Sequence, residues 1–147
     1  MDNFYVDPIA LARKEGIIVI PSSHLDVNGS IEKNSETNEI VIEYNNNLHP
    51  NRQRFTIAHE LGHYYAGHLN DSANKLFRDP VKNFTLDNYD PLEAEANKIA
   101  AELLMPEDKI EFLIQKLQYS TIDSLAEALR VSPAAMTYRL NNLGYIS

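Results

Sequence analysis

RQRFTIAHELGHYYAGH, residues 52–68, is the stretch on which the fold turns. Read as a helix, it places His59 and His63 about 40° apart around the axis and one turn apart along it, so two imidazoles aim at one point. Glu60 lies about 100° round from His59, beside that point but displaced from it. That position suits a base acting on water better than a third ligand.

The residue types fit metal chemistry. Neutral imidazole binds zinc firmly and leaves the ion its charge, which lowers the pKa of a bound water from about 15.7 to around 7. A carboxylate beside such a site can take the water's proton and pass it on. The bland reading is coincidence: with 5 histidines in 147 residues, the pattern arises by chance in on the order of one per cent of such chains. Context weighs against it. Ile57, Ala58, Leu61 and Tyr65 on the opposite side predict a helix buried on both sides, and inward histidines need partners. Gly62 costs about 1 kcal/mol relative to alanine inside a helix, which a close neighbour beside the histidine face explains better than propensity does.

A catalytic site needs a third protein ligand, and the candidates are His68 or a carboxylate elsewhere. The metzincin pattern requires a glycine three residues and a histidine six residues after the second histidine; here Gly67 and His68 come four and five after His63, so that pattern fails. The segment DPLEAEANKIAAELLM offers Glu93 and Glu95. At 100° per residue Glu93, Asn97, Ala100 and Leu104 fall on one stripe, while Glu95, Lys98 and Glu102 fall on a roughly opposite, solvated face. Glu93 is therefore the expected ligand, with a capping-box contact to Asp90 as its structural alternative. Asn97, one turn on, can accept the outer N–H of His59 and fix its tautomer; the alternative is a buried asparagine bonding backbone.

Outward from this pair of segments, Asp7 and Pro8 open a short helix that Gly16 closes. GIIVIP reads as a buried strand, and NGSIEK and NEIVIEY as a hairpin around NSETN, so about three strands are expected. The metal helix runs from Asn51 to about Ala66, with Gly67 as its stop. Asn70–Asp90 has no clean period and reads as a partly ordered loop. Asp90 and Pro91 open a helix that runs to Leu104, and Pro106 starts another ending near Leu117. TIDSLAEALR and PAAMTYRLNNLG have helix-turn-helix spacing, with Ser132 capping and Pro133 beginning the second helix. Helix, strands, then helices argue an α+β fold, with residues 1–117 as the core and 118–147 as a helix-turn-helix-like segment packed on it.

Composition bounds the function. One domain of this length holds at most one catalytic unit. The absence of cysteine leaves only nitrogen and oxygen ligands. The amino terminus lacks the features of a signal peptide, and the longest apolar run, Ile17–Ile20, cannot span a bilayer, so a cytoplasmic protein is expected, with no membrane association. A net charge of −8 without a lysine or arginine cluster argues against direct nucleic-acid binding.

RFTIAHELGHYYAGH followed by EAEANKIAAELLMP resembles the ImmA/IrrE family of zincin-like metallopeptidases, and the resemblance runs from the first helix through LAEALRVSPAAMTYRLNNLGYI. It implies a compact zincin core holding Zn²⁺, with His59 and His63 as ligands, Glu60 as catalytic base and Glu93 as third ligand. Asn97 stands where thermolysin-like enzymes have aspartate, although asparagine is usual in this family; a neutral partner implies weaker zinc binding. The resemblance also implies a protein substrate, a helix-turn-helix repressor of a phage or mobile element, and an antirepressor role.

Several assignments stay open. Tyr64, Tyr65, Arg54, His24 and His49 are candidate donors to a developing oxyanion, and for each a structural role is the simpler account, with Tyr65 a core aromatic and Arg54 a helix-start surface charge; His68, separately, is expected to cap or bond near the helix end. NEIVIEY or NGSIEK could offer an edge strand to an extended substrate, and the segment 70–90 could act as a lid or a connector. Two rival functions are a DNA-binding regulator with a vestigial site and an antitoxin-like partner that sequesters its target without cutting it.

Overall fold

The computed structural model describes residues 3–23, 26–70, 76–79 and 90–146. Helix α1 (Pro8–Lys14) begins where the Asp7 carboxylate accepts the Ile9 and Ala10 N–H groups, and ends at Gly16 in the left-handed region, φ 79°. The chain then enters β1 (Ile18–Ser22), β2 (Gly29–Lys33) and β3 (Ile40–Asn45). Asn34 shapes the β2–β3 turn by accepting the N–H groups of Glu36 and Thr37. Helix α2 (Pro50–Tyr65) carries the two histidines and α3 (Pro91–Leu104) carries Glu93; α4 (Glu107–Gln115), α5 (Ile122–Leu129) and α6 (Pro133–Leu143) complete the order.

The fold is α+β, and the three expected strands form. A fourth, β4 (Leu76–Asp79), lies inside the stretch read as a loop, giving the order β1-β3-β2-β4. β1 pairs parallel to β3, whereas β2 is antiparallel to both β3 and β4. The remainder of 70–90 beyond Asn70, β4 and Asp90, and with it the choice between lid and connector, lies outside the described residues.

Two strand expectations need correction. GIIVIP is not buried: β1 is an edge strand, and Ile18 and Ile20 are each 42% exposed, with only Ile17 in the core. A β-branched run marks a strand without saying whether both its faces are covered. NGSIEK and NEIVIEY are not edges either, because β2 and β3 occupy the middle of the sheet.

Helix α2 separates two cores. Leu61 joins Ala12, Ile17, Ile31, Ile42 and Leu69 beneath the sheet. Ala58 joins a larger cluster built by α3 to α6, including Leu104, Leu113, Leu125, Leu129, Met136 and Leu140. Burial on both sides encloses every residue from Thr56 to His63. Each fully buried leucine adds about 1.5–3 kcal/mol. Tyr65, expected in the core, is instead 41% exposed at the helix end.

The α5–α6 pair forms as its sequence predicts. Thr121 accepts the Ser124 N–H, Arg130 takes the left-handed conformation that ends α5, and Ser132 accepts the Ala135 N–H ahead of Pro133. Arg54 is not a plain surface charge, since its guanidinium donates to the carbonyls of Val6 at 2.6 Å and Arg130 at 3.2 Å. It ties the amino-terminal segment and the α5–α6 turn to α2. Among the described residues no helix is long and apolar enough to cross a membrane.

Candidate metal centre

Helices α2 and α3 meet backbone to backbone at Gly62. A Cβ there would collide with the Ala96 carbonyl oxygen and lie 2.9 Å from the Ala96 Cα. No larger residue fits without moving α3. Ala96 stands between Glu93 and Asn97 on α3, so this contact sets both opposite the two histidines.

The resulting geometry is compact. Glu93 spans both imidazoles, with Oε1 3.0 Å from His59 Nε2 and Oε2 2.8 Å from His63 Nε2. Behind them, His59 Nδ1 lies 2.7 Å from Asn97 Oδ1, and His63 Nδ1 lies 2.8 Å from His68 Nδ1. The rings of His59 and His63 are nearly perpendicular, with centroids 4.9 Å apart. His59, Glu60 and His63 are buried, and one ligand atom of each falls within a 4.8 Å group. Glu93 is outside that group but is the carboxylate facing both Nε2 atoms, which is the property a shared ligand needs. Glu60 is walled on another side by Gly29, where an added Cβ would lie 3.5 Å from Glu60 Oε2 and 2.9 Å from the Glu43 carbonyl oxygen.

The protonation pattern fits a cation at this point. An amide oxygen can only accept, so His59 donates Nδ1–H to Asn97 and presents the Nε2 lone pair to the Glu93 carboxylate. Without a metal, that contact requires an extra proton. Burial favours an ionisable Glu93 staying neutral, but with protons on the Nε2 atoms the hydrogen bonds of His59 and His63 outweigh it and bring its pKa to about 2. Burial meanwhile lowers the pKa of His63, against the pull of Glu93. A carboxylate that wants positive charge thus faces an imidazole that resists carrying it, and a divalent cation satisfies both.

Four other candidate donors are held elsewhere. Tyr64 and Tyr65 both donate to the Glu15 carboxylate; burial, and after it this contact, raises their pKa values, that of Tyr65 to about 12. His49 accepts the Asn51 N–H as the cap of α2, and Arg54 holds backbone carbonyls. His24 lies outside the described residues.

Sequence reasoning placed Glu95 in solvent and His68 near the end of α2 without giving them partners in common. The structure joins them: His68 Nε2 lies 2.7 Å from Glu95 Oε1. The signal was present in the order Gly67, His68. The Gly67 and His68 N–H groups bond the carbonyls of Tyr64 and His63, a Schellman closure that packs the residue after the glycine against the residue five before it.

Residues 12–141 match the model of the IrrE N-terminal-like domain, peptidase family M78. The chain belongs to this family. Membership makes it a metallopeptidase at family level, in agreement with the buried His59, Glu60 and His63 group. It is similar to Metallopeptidase ImmA of Bacillus subtilis (strain 168), 28% identical over 131 residues, covering 89% of this chain and 73% of that protein. It is also similar to the Uncharacterized immunity region protein 2 of Bacillus phage phi105, 37% identical over 102 residues, covering 69% of this chain and 60% of the phage protein. A Mycobacterium tuberculosis transcriptional regulator shares the fold, with TM-score 0.60 and 19% identity over 90% of this chain and 39% of that one.

Proposed function

We propose that the chain is a zinc-dependent endopeptidase in which Nε2 of His59, Nε2 of His63 and the Glu93 carboxylate hold the ion. The observation that carries this reading is the Glu93 carboxylate bridging both Nε2 atoms at 3.0 and 2.8 Å. When bound, zinc supplies a Lewis acid that polarises the scissile carbonyl and acidifies water at neutral pH. Glu60 takes the proton of the attacking water and delivers it to the leaving amine. Asn97 keeps His59 in the tautomer whose Nε2 lone pair faces inward.

The substrate in this reading is a protein, and specifically a helix-turn-helix repressor of a phage or mobile element, whose cleavage relieves repression in the cytoplasm. Its support is similarity to a metallopeptidase and to a phage immunity region protein. An extended segment of the substrate would pair with β4, which among the described residues is hydrogen-bonded only to β2. Register favours this strand, because Asp79 of β4 pairs with Gly29, the residue that walls Glu60. Residues 118–147 act here as a packed helical segment on a 1–117 core rather than as a DNA reader. Their Arg130 is turned onto the Tyr5 ring at 3.8 Å, and Arg139 donates to the Met105 carbonyl.

Zinc content and cleavage of a repressor encoded beside this chain test the proposal together. Glu60→Gln should keep stoichiometric zinc while cutting falls by roughly 10²–10⁴-fold. A Glu60→Gln protein that relieves repression as fully as the wild type would identify a sequestering partner instead of a peptidase.

A further inference from the structure

We infer that His68 and Glu95 are positioning residues for the metal site, a carboxylate–imidazole pair that fixes the tautomer of His63 from outside. The inference rests on the ligand assignment above and adds a role for two side chains that assignment does not use. Its starting point is a chain of contacts: Glu95 Oε1 to His68 Nε2 at 2.7 Å, then His68 Nδ1 to His63 Nδ1 at 2.8 Å, then His63 Nε2 to the Glu93 carboxylate at 2.8 Å.

The direction of each hydrogen bond follows from the one before. An ionised carboxylate only accepts, so Glu95 selects the His68 tautomer with its proton on Nε2. That tautomer carries a lone pair on Nδ1, which can only accept from His63. The His63 proton is thereby placed on Nδ1, and its Nε2 lone pair is directed at the point where Glu93 and His59 converge. His68 in the opposite tautomer, or protonated on both nitrogens, would make His63 the acceptor and put the His63 proton on Nε2, where it would block a metal. The local fold supports the arrangement: Gly67 at φ 80° turns the chain so that His68 returns onto His63, and the His68 side chain is 6% exposed while Glu95 is 54% exposed. The two metal histidines are thus supported differently, His59 by a neutral amide and His63 by an imidazole backed by a carboxylate.

Zinc affinity measured against a competing chelator, together with ¹⁵N NMR of the histidine rings, tests this. The wild type should bind one zinc, with His68 in the Nε2–H tautomer in the loaded protein. His68→Leu should weaken zinc by roughly 10–100-fold, the usual cost of losing an outer partner of a ligand. His68→Asn, whose Oδ1 can accept the His63 proton, should stay within about threefold of wild type. Glu95→Ala should leave His68 in a mixture of tautomers. Melting of the metal-free variants separates this role from a merely structural one, which would lower stability in His68→Leu and His68→Asn alike. The inference is overturned if His68→Leu holds zinc like the wild type, if His68→Asn loses as much as His68→Leu, or if His68 carries its proton on Nδ1. Failure of the wild type to bind zinc at all would instead overturn the ligand assignment, and this inference with it.

Discussion

The α2–α3 seam and the α5–α6 pair are both helix contacts, yet they solve different problems. In α5–α6 the buried residues are Leu125, Ala126, Leu129, Met136 and Leu140, and the stability comes from apolar area. In the seam, Gly62 and Ala96 remove side-chain bulk so that two backbones touch, and the space beside that contact is filled by His59, His63, Glu93 and Asn97. A pair packed through leucines keeps its helices too far apart to share a carboxylate between two imidazoles. Close approach is what lets a helix interface gather two imidazoles around one carboxylate.

Breaking the seam should therefore cost the most. Gly62→Val drives Cβ into the Ala96 backbone, which cannot rotate aside, and should destabilise the fold by more than about 3 kcal/mol and abolish stoichiometric zinc binding. Denaturant unfolding and metal analysis check this. Retention of both would show that the two helices can separate without losing the site. Leu129→Ala, in the other pair, should cost about 2–3 kcal/mol from lost packing and the cavity left behind. It should leave the zinc affinity of the folded protein unchanged, because His59, His63, Glu93, Asn97 and His68 are carried by α2, α3 and the turn that follows α2; weakened zinc in that variant would mean the two regions are coupled.

Acid exposes the polar character of the seam. The Glu93 carboxyl is held at about 2 in the metal-free protein, below its ordinary 4.5. A lowered carboxyl contributes stability above its unfolded pKa and loses it as pH falls toward the folded value. Metal-free wild type should accordingly melt above Glu93→Gln near pH 6, with the gap closing between about pH 4.5 and pH 2. A gap that persists unchanged to pH 2 would show that Glu93 contributes through packing alone.

These contrasts also explain what the amino-acid order revealed. Ser132 with Pro133 and the apolar spacing of Leu125, Leu129, Met136 and Leu140 are local signals, and α5 and α6 followed them. The spacing of His59, Glu60 and His63 and the stripe of Glu93 and Asn97 are local too, and the structure brings all five together. Placement within the sheet is not local: β1 has the β-branched run of a buried strand, but whether a strand is flanked depends on partners distant in the chain. β4 escaped because its four residues sit in a polar stretch without period and take their pairing from β2. His68 and Glu95 escaped because a helix-face argument assigns an exposed carboxylate to solvent and does not consider what a turn returns to it.

The smallest effect should come from the back of the seam. Asn97 holds His59 through an amide oxygen at 2.7 Å, which orients the ring but polarises its N–H less than a carboxylate would. Asn97→Asp keeps the shape and replaces the acceptor with a carboxylate, which makes the imidazole a stronger base and a stronger ligand. Zinc should then bind up to about tenfold more tightly, roughly 1.4 kcal/mol, since outer partners move affinity by 10–100-fold when lost altogether. The gain is limited because a second negative charge beside Glu93 must be desolvated between the helices. Chelator competition measures the change. Weaker binding in Asn97→Asp would mean that the closeness of α2 and α3 makes the added charge costlier than the improved ligand is worth, and that the seam is tuned for a neutral acceptor.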